Sequence, residues 1–290
     1  MFSKKSLRVE IQNLDGEFVS GVNTISFKDL PIEVMISLVE LPAAFSANIR
    51  IYGISRENMD YITTLHWKDL MIVEKAIRIY ANDGEGEKLL YEGNIQSANP
   101  VYATAPDIYI DINSVAGAFF NMSDIPPSSL PKNASVPDVF QKICYDYGIA
   151  FVNNGVDKMA SGSVYYGQNG LANRIRAAAI EHNVSANIYN NRVEIYPKGE
   201  RAPKVWTFTK QNYIGYPSFV NMGIKLTLDK IYYTNIGDVF KIVGSDVSSA
   251  NDSFEINKIT YNLSTKIGGK WFMTLFGTRY VLNEWKEGKC

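Results

Sequence analysis

Apolar and polar residues alternate with a period of two through most of the first third of the chain. Val9 and Ile11 alternate with Arg8, Glu10 and Gln12, and Ile49 and Ile51 with Asn48, Arg50 and Tyr52. Ile77 and Ile79 alternate with Arg78 and Tyr80. Ile108, Ile110 and Ile112 alternate with Asp107, Tyr109, Asp111 and Asn113. This period predicts strands with one face in a core and one face polar. Ile32–Glu40 reads as a more continuous apolar strand, closed by Pro42. Asn13-Leu14-Asp15-Gly16 and Asn82-Asp83-Gly84-Glu85-Gly86 have the composition of hairpin connections. One short helix is expected over Arg56–Leu65, capped by Ser55, with Met59, Ile62 and Leu65 on one side.

The period changes in the middle of the chain. Ile125-Pro126-Pro127-Ser128-Ser129-Leu130-Pro131 reads as a Pro/Ser linker. Ser135-Val136-Pro137-Asp138 is a capping box with Pro in the first turn. The helix it opens runs to about Tyr147, with Val136, Phe140, Ile143 and Tyr147 in one stripe and Gly148 placed as its C′ residue. A second helix is expected over about Leu171–His182, turning Leu171, Ile175 and Ala178/Ala179 inward, with Asn183 as a left-handed cap. Val193–Tyr196 returns to strand and Pro197-Lys198-Gly199 ends it. Together these form a small α/β module.

From Pro203 the chain is β again. Lys204–Phe208, Gly223–Leu228, Asp238–Val243, Phe254–Leu263 and Lys270–Phe276 are strand-like, with Ile267-Gly268-Gly269-Lys270 as a Gly-rich turn between the last two. The order is therefore β-rich, α/β, β-rich, with no internal repeat and no low-complexity tract.

Composition narrows the function classes. A chain of 290 residues can bury a sizeable core, and its length fits two or three domains. Its net charge of −1 argues against a nucleic-acid binder that works through a basic face. The 18 Tyr and 14 Phe favour strands and protein interfaces. Two His leave little material for a metal site or a proton shuttle. The two Cys, Cys144 and Cys290, do not make a disulfide framework, so a reducing compartment, or at least no reliance on oxidation, is expected. The first residues, Met1–Arg8, carry charge without an apolar h-region, and no apolar run is long enough to span a bilayer. A soluble protein made in the cytoplasm is expected.

A search for catalytic chemistry returns mostly structural readings. No nucleophile elbow and no phosphate-binding Gly-Lys loop occurs. Gly84-Glu85-Gly86 begins like a dinucleotide loop but continues to Leu89 and is acidic, so a hairpin turn is the better reading. Asp83, Glu85 and Glu87 lack the distal Glu and regular spacing of a calcium loop and read as a solvated tip, with contact to a basic partner as the sharper alternative. Asp107 and Asp111 share a strand face about 13 Å apart, too wide for a glycosidase pair. His66 and His182 have no ligand at metal spacing and read as packing or helix-end residues. Cys144 reads as a small buried hydrophobe. Arg174 and Arg176 flank Ile175 and read as a solvated face, or as contacts to acidic partners. No catalytic, cofactor or metal residues are assigned, and the interface residues are unknown at this stage.

Three stretches resemble the central baseplate hub proteins of contractile phage tails, in the Mu-like and T-even lineages. The first is Ala47–Glu57, a strand running into a helix, similar to an Ile-x-Ile-Tyr-Asn-Leu-Ser pattern with Gly53 in place of Asn. It is followed by a strand pair at Ile77–Ala81 and Leu89–Ile95. The second is the α/β module, with its helices at Val136–Gly148 and Gly170–Asn183 and its strand at Val193–Tyr196. The third is Ile214-Gly215-Tyr216-Pro217-Ser218-Phe219 with Met222–Leu226, similar to the entry of the family's C-terminal β-domain. Asn235–Phe240 and Phe254–Leu263 with Gly268–Phe272 continue it, and Tyr261 stands where His is common. The likeness covers nearly the whole chain in order.

The resemblance implies an α+β, mainly β fold: tail-tube-like β-barrel domains at 1–117 and 201–290 flanking an α/β insertion at 118–200. It implies a non-enzymatic hub, a homotrimer whose six barrels form a pseudo-sixfold ring. That ring joins the sixfold tail tube, or a tube-initiator protein, to the threefold central spike and leaves a lumen for tape measure and DNA. No cofactor, no sequence-specific nucleic acid and no stable membrane insertion are implied. The expected place is the virion baseplate, assembled in the host cytoplasm, with wall cleavage left to another protein. The hub of a type VI secretion spike or a tailocin shares the implied fold. The rival class is a carbohydrate- or receptor-binding tail-tip β-protein; a hydrolase with a scattered carboxylate pair is the third alternative.

Overall fold

The computed structural model describes residues 5–13, 23–39, 45–59, 62–63, 75–117, 125–131, 133–160, 164–166, 170–189, 192–198, 204–221 and 223–280. The expected hairpin after Asn13, the strand end at Pro42, His66 and Cys290 lie outside them. The fold is mainly β, as expected, and the chain divides into two compact units.

The first unit comprises Met1–Ile36, Glu40–Arg201 and Leu263–Gly269. Its strands are β1 (Ser6–Asn13), β2 (Thr24–Lys28), β3 (Ile32–Val39), β4 (Ser46–Tyr52), β5 (Lys75–Asn82), β6 (Glu87–Val101) and β7 (Tyr109–Val115), in the sheet order β3-β4-β7-β6-β5-β1-β2. The pairings of β1 with β2 and β5, of β6 with β5 and β7, and of β4 with β7 are antiparallel. Alternation sorts the side chains. Val9, Ile11, Ile49, Ile51, Ile77, Ile79, Ile110 and Ile112 are buried on one face, each contributing about 1.5–3 kcal/mol of hydrophobic stabilisation. The other face is laced with polar contacts. Arg8 Nε donates to Glu87 Oε2 at 2.8 Å, Arg78 Nε to Glu92 Oε1 at 2.8 Å, and Arg50 Nε to Asp111 Oδ2 at 3.1 Å.

The helical segment at 56–59 begins where Ser55 Oγ accepts from the Asn58 N–H at 3.3 Å, with Met59 and Ile62 buried. The α/β module also belongs to this unit. It contains β8 (Ser128–Leu130), α1 (Val136–Asp146), β9 (Ala150–Asn153), β10 (Val164–Tyr166), α2 (Leu171–Glu181), β11 (Val184–Ile188) and β12 (Arg192–Pro197). Ser135 and Asp138 form the capping box reciprocally, and Gly148 takes the left-handed conformation after the helix (φ 68°). Asn183 does the same after α2 (φ 51°). A three-stranded sheet, β11-β12-β9, carries a core of its own, in which Phe140, Ile143, Leu171, Ile175, Val193 and Ile195 are fully buried. The Pro/Ser segment is not purely a linker. Between Pro127 and Pro131 three residues keep their N–H groups and pair with β10.

The second unit comprises Ser37–Val39, Ala202–Asn262 and Lys270–Cys290. Its remaining strands are β13 (Val205–Phe208), β14 (Ser218–Val220), β15 (Gly223–Leu228), β16 (Val239–Ile242), β17 (Ser253–Ser264) and β18 (Trp271–Arg279). The order is β14-β15-β18-β17, with β16 antiparallel on β17 and β13 parallel on β16. Phe208, Phe240 and Phe254 stack through its core, with ring centroids 6.5 and 5.5 Å apart.

Candidate assembly interface

The groups weighed for chemistry do not converge. The tip at Asn82–Gly86 is a hairpin turn, as expected: Asn82 Oδ1 accepts from the N–H of Gly84 at 2.8 Å and of Gly86 at 3.2 Å. Glu87 leaves that tip and pairs with Arg8, which holds its carboxyl below the usual value. Asp111 is engaged by Arg50 and by Asn48 Nδ2 (2.7 Å), and Asp107 closes a turn through its own backbone, donating to the Thr104 carbonyl at 3.0 Å. Cys144 is buried on α1, and burial pushes its thiol up to about 12. His182 sits at the end of α2, buried, its N–H on the Ala178 carbonyl at 3.0 Å. Among the described residues no group of three or more His, Cys, Asp or Glu is placed to hold a metal ion. Among them no helix is long and apolar enough to cross a membrane.

Arg174 departs from the solvated-face reading. It is wholly buried, whereas Arg176 is exposed. The α2 stripe runs Leu171, Arg174, Ile175, Ala178, so helical spacing carries Arg174 inward with its apolar neighbours. Asp238 is a second residue whose role the sequence reading missed. Buried at the start of β16, its Oδ2 accepts from the Asn235 N–H at 2.9 Å and from Trp206 Nε1 at 3.4 Å. It braces the turn that aims β16. The signal was the Asn-x-Gly-Asp spacing, a turn whose carboxylate reaches back three residues.

At the β14 end of the second unit several large side chains are exposed. Tyr213 bridges to Leu228, and the Ile214 N–H donates to the Thr227 carbonyl at 2.8 Å. The chain leaves β15 at Gly215-Tyr216-Pro217, where Gly215 supplies a left-handed turn (φ 71°), and rejoins it as β14. There Ser218 faces Lys225, Phe219 faces Ile224 and Val220 faces Gly223. Directly opposed residues of an antiparallel pair lie on the same side of the sheet. Phe219 therefore lies on the side of Ile224, Leu226 and Leu228, which are fully buried, yet it is 56% exposed. Ile214 (45%), Tyr216 (70%) and Val220 (41%) are also open. By the same register Val220, opposite Gly223, and Ile214, opposite Thr227, lie on the other side of the sheet from Phe219. The segment is uncharged: no Asp, Glu, Lys or Arg occurs between Lys210 and Lys225.

Comparison with known proteins gives this arrangement a context. A family described as baseplate hub gp41 matches residues 7–277. The fold is similar to a tail protein from Neisseria meningitidis MC58, at a TM-score of 0.65 and 10% identity, covering 94% of this chain and 96% of that one. It is similar to a 43 kDa tail protein of prophage MuSo2 from Shewanella oneidensis, at 0.61 and 10%, with the same 94% and 96% coverage. It is also similar to the Escherichia coli c3393 protein, at 0.63 and 13%, over 87% of this chain and 74% of that one. That protein is described as a type VI secretion component structurally similar to the phage T4 tail proteins gp27 and gp5. No curated protein sequence gives a significant match.

Proposed function

The chain belongs to the baseplate hub gp41 family and is a component of the virion tail, and from that premise we propose that it is the trimeric hub joining the tail tube to the central spike. The observation that carries this reading is the extent of the family match. Residues 7–277 take in both β-rich units and the α/β module, so the whole architecture travels with the hub assignment.

Three chains place six tube-like β-domains in a pseudo-sixfold ring. The ring meets the sixfold tube or its initiator on one side and the threefold spike on the other. Its lumen admits the tape-measure protein and DNA without reading sequence. In this reading the chain divides at 1–117, 118–200 and 201–290, and the β parts close as barrels within the assembly. The α/β module, with its own buried core, sits at the periphery. The hub acts by holding its neighbours in register, and no catalytic step is assigned to it.

Mass and shape in solution, measured at several concentrations alone and with the tube and spike proteins, test the proposal. A ring-shaped particle of three chains is expected. A chain that stays monomeric in every mixture rules the hub reading out.

A further inference from the structure

We infer that the outward face of the second unit's sheet, centred on Lys225, Phe276 and Lys258, docks a partner protein that presents carboxylates around an apolar centre. The inference rests on the hub reading for where that partner is found, among the tube and spike proteins. Register places these residues on one face. Lys225 lies opposite Phe276 on β18 and Ser218 on β14, and Thr227 lies opposite Thr274. Val220, opposite Gly223, and Ile214, opposite Thr227, share that side. Lys258 Nζ lies 5.2 Å from the centre of the Phe276 ring, which brings β17 into the same row. The alternating positions Ile224, Leu226, Leu275, Ile259 and Tyr261 are buried on the opposite face.

Charge distinguishes this face from the polar face of the first unit. There Arg8, Arg78 and Arg50 each engage a carboxylate, that of Glu87, Glu92 and Asp111 respectively. Here the strands β14, β15, β17 and β18 hold a single carboxylate between them, that of Glu255. Lys241, exposed on β16 opposite Ser253, lies on the same side as Glu255. The face therefore sets three lysines against one carboxylate, and among the described residues Lys225, Lys241 and Lys258 make no ion pair. Lys225 and Lys258 stand two strands apart, about 10 Å, with Phe276 between them. Ile214 and Val220 are exposed beside this row. An apolar patch edged by uncompensated cations is complemented by an apolar patch edged by carboxylates.

The same features favour protein over nucleic acid as the occupant. Three lysines fall short of the roughly six to ten phosphate contacts that give strong binding to duplex DNA. A phosphate backbone would also leave Ile214, Val220 and Phe276 in water, where an apolar protein surface covers them. A different protein is favoured over a second copy. The carboxylates on the first unit's polar face, Glu87, Glu92 and Asp111, are already engaged by that unit's own arginines, so that face is not the complement.

The test places a photo-crosslinking amino acid at position 218 of the full chain, where Ser218 is exposed opposite Lys225, and separately makes the double variant Lys225→Glu, Lys258→Glu. Each is mixed with the tube protein and with the spike protein. The expected results are an adduct to one of those two proteins and at least a tenfold weaker affinity for it in the double variant. Raising salt should weaken the wild-type contact and leave the variant's residual binding nearly unchanged. Thermal melting checks that the variant folds; the crosslinker leaves both lysines in place and reads the contact even if it does not. An assembled particle without that adduct, an adduct to a second copy alone, or unchanged affinity in a folded double variant overturns this inference and leaves the hub reading standing. Tight binding of duplex DNA that the same two substitutions abolish also overturns it, in favour of a nucleic-acid face. A chain that is monomeric in every mixture overturns the hub reading itself, and this inference falls with it.

Discussion

The guanidinium of Arg174, buried on α2, donates through Nη1 to the carbonyl oxygen of Pro126 at 3.0 Å. Its Nη2 donates to the preceding carbonyl, that of Ile125, and the Tyr147 ring lies 5.4 Å from the guanidinium carbon. One planar fork thus fastens the segment entering the α/β module to a helix inside it. Lysine keeps the charge but not the fork. Arg174→Lys and Arg174→Ala are each expected to lower stability by about 3 kcal/mol, read by chemical denaturation. A loss below about 0.5 kcal/mol would mean the two carbonyls find other donors.

Arg174 also shows where a sequence stops being legible. Strand positions follow from local alternation, and there expectation and structure agree closely. The strand expected at Gly223–Leu228 is β15, and those expected at Ile32–Glu40 and Phe254–Leu263 are β3 (Ile32–Val39) and β17 (Ser253–Ser264). The helices at Val136 and Leu171 start where the capping box and the apolar stripe placed them. Partners distant in sequence are another matter. The carbonyls that satisfy Arg174 are 48 and 49 residues away, and no local period encodes them. The β14 edge is similar. Its residues looked like a domain entry, and only the register against Ile224 shows Phe219 to be an uncovered part of the apolar face.

Cys144 is expected to be inert in the folded protein. Burial pushes its thiol up to about 12, so at pH 8 it is neutral as well as inaccessible. In a Cys290→Ser background, a thiol reagent at pH 8 should label less than a tenth of the native protein in an hour and all of it in denaturant. Rapid native labelling would place Cys144 on an accessible, ionised surface and refute its core role.

Gly277 is expected to tolerate no side chain. A Cβ there would lie 2.6 Å from Phe240 Cε1, 2.7 Å from the Glu255 carbonyl oxygen and 3.0 Å from Phe254 Cβ. Two of those three are backbone or Cβ atoms, which cannot swing aside. Gly277→Ala should therefore lower stability by about 1–3 kcal/mol through overpacking. Gly86→Ala provides a contrast, since its Cβ would meet nothing within 4 Å and any loss there comes from its left-handed backbone (φ 98°) alone. Melting temperatures of the two variants separate packing from conformation, because filling the Gly277 site should also disturb near-ultraviolet signals from Phe240 and Phe254.

The capping box of α1 predicts a pH dependence with a definite sign. Asp138 Oδ2 accepts from the Ser135 hydroxyl at 2.6 Å and from the Ser135 N–H at 2.9 Å. Those bonds, the side-chain one first, hold its carboxyl below the ordinary value of 3.8. The unfolded chain binds the proton more readily than the folded one. Its stabilising effect is therefore complete above the ordinary value and fades as pH falls through the lowered folded value. Ser135→Ala should lower stability by about 1 kcal/mol at pH 7. Asp138→Asn should also lower it at pH 7, and its deficit relative to wild type should shrink steadily between pH 4 and pH 2. Chemical denaturation of the three proteins across that range reads the effect. A deficit that stays constant into acid would mean that Asp138 acts on the helix through its shape and not through its charge.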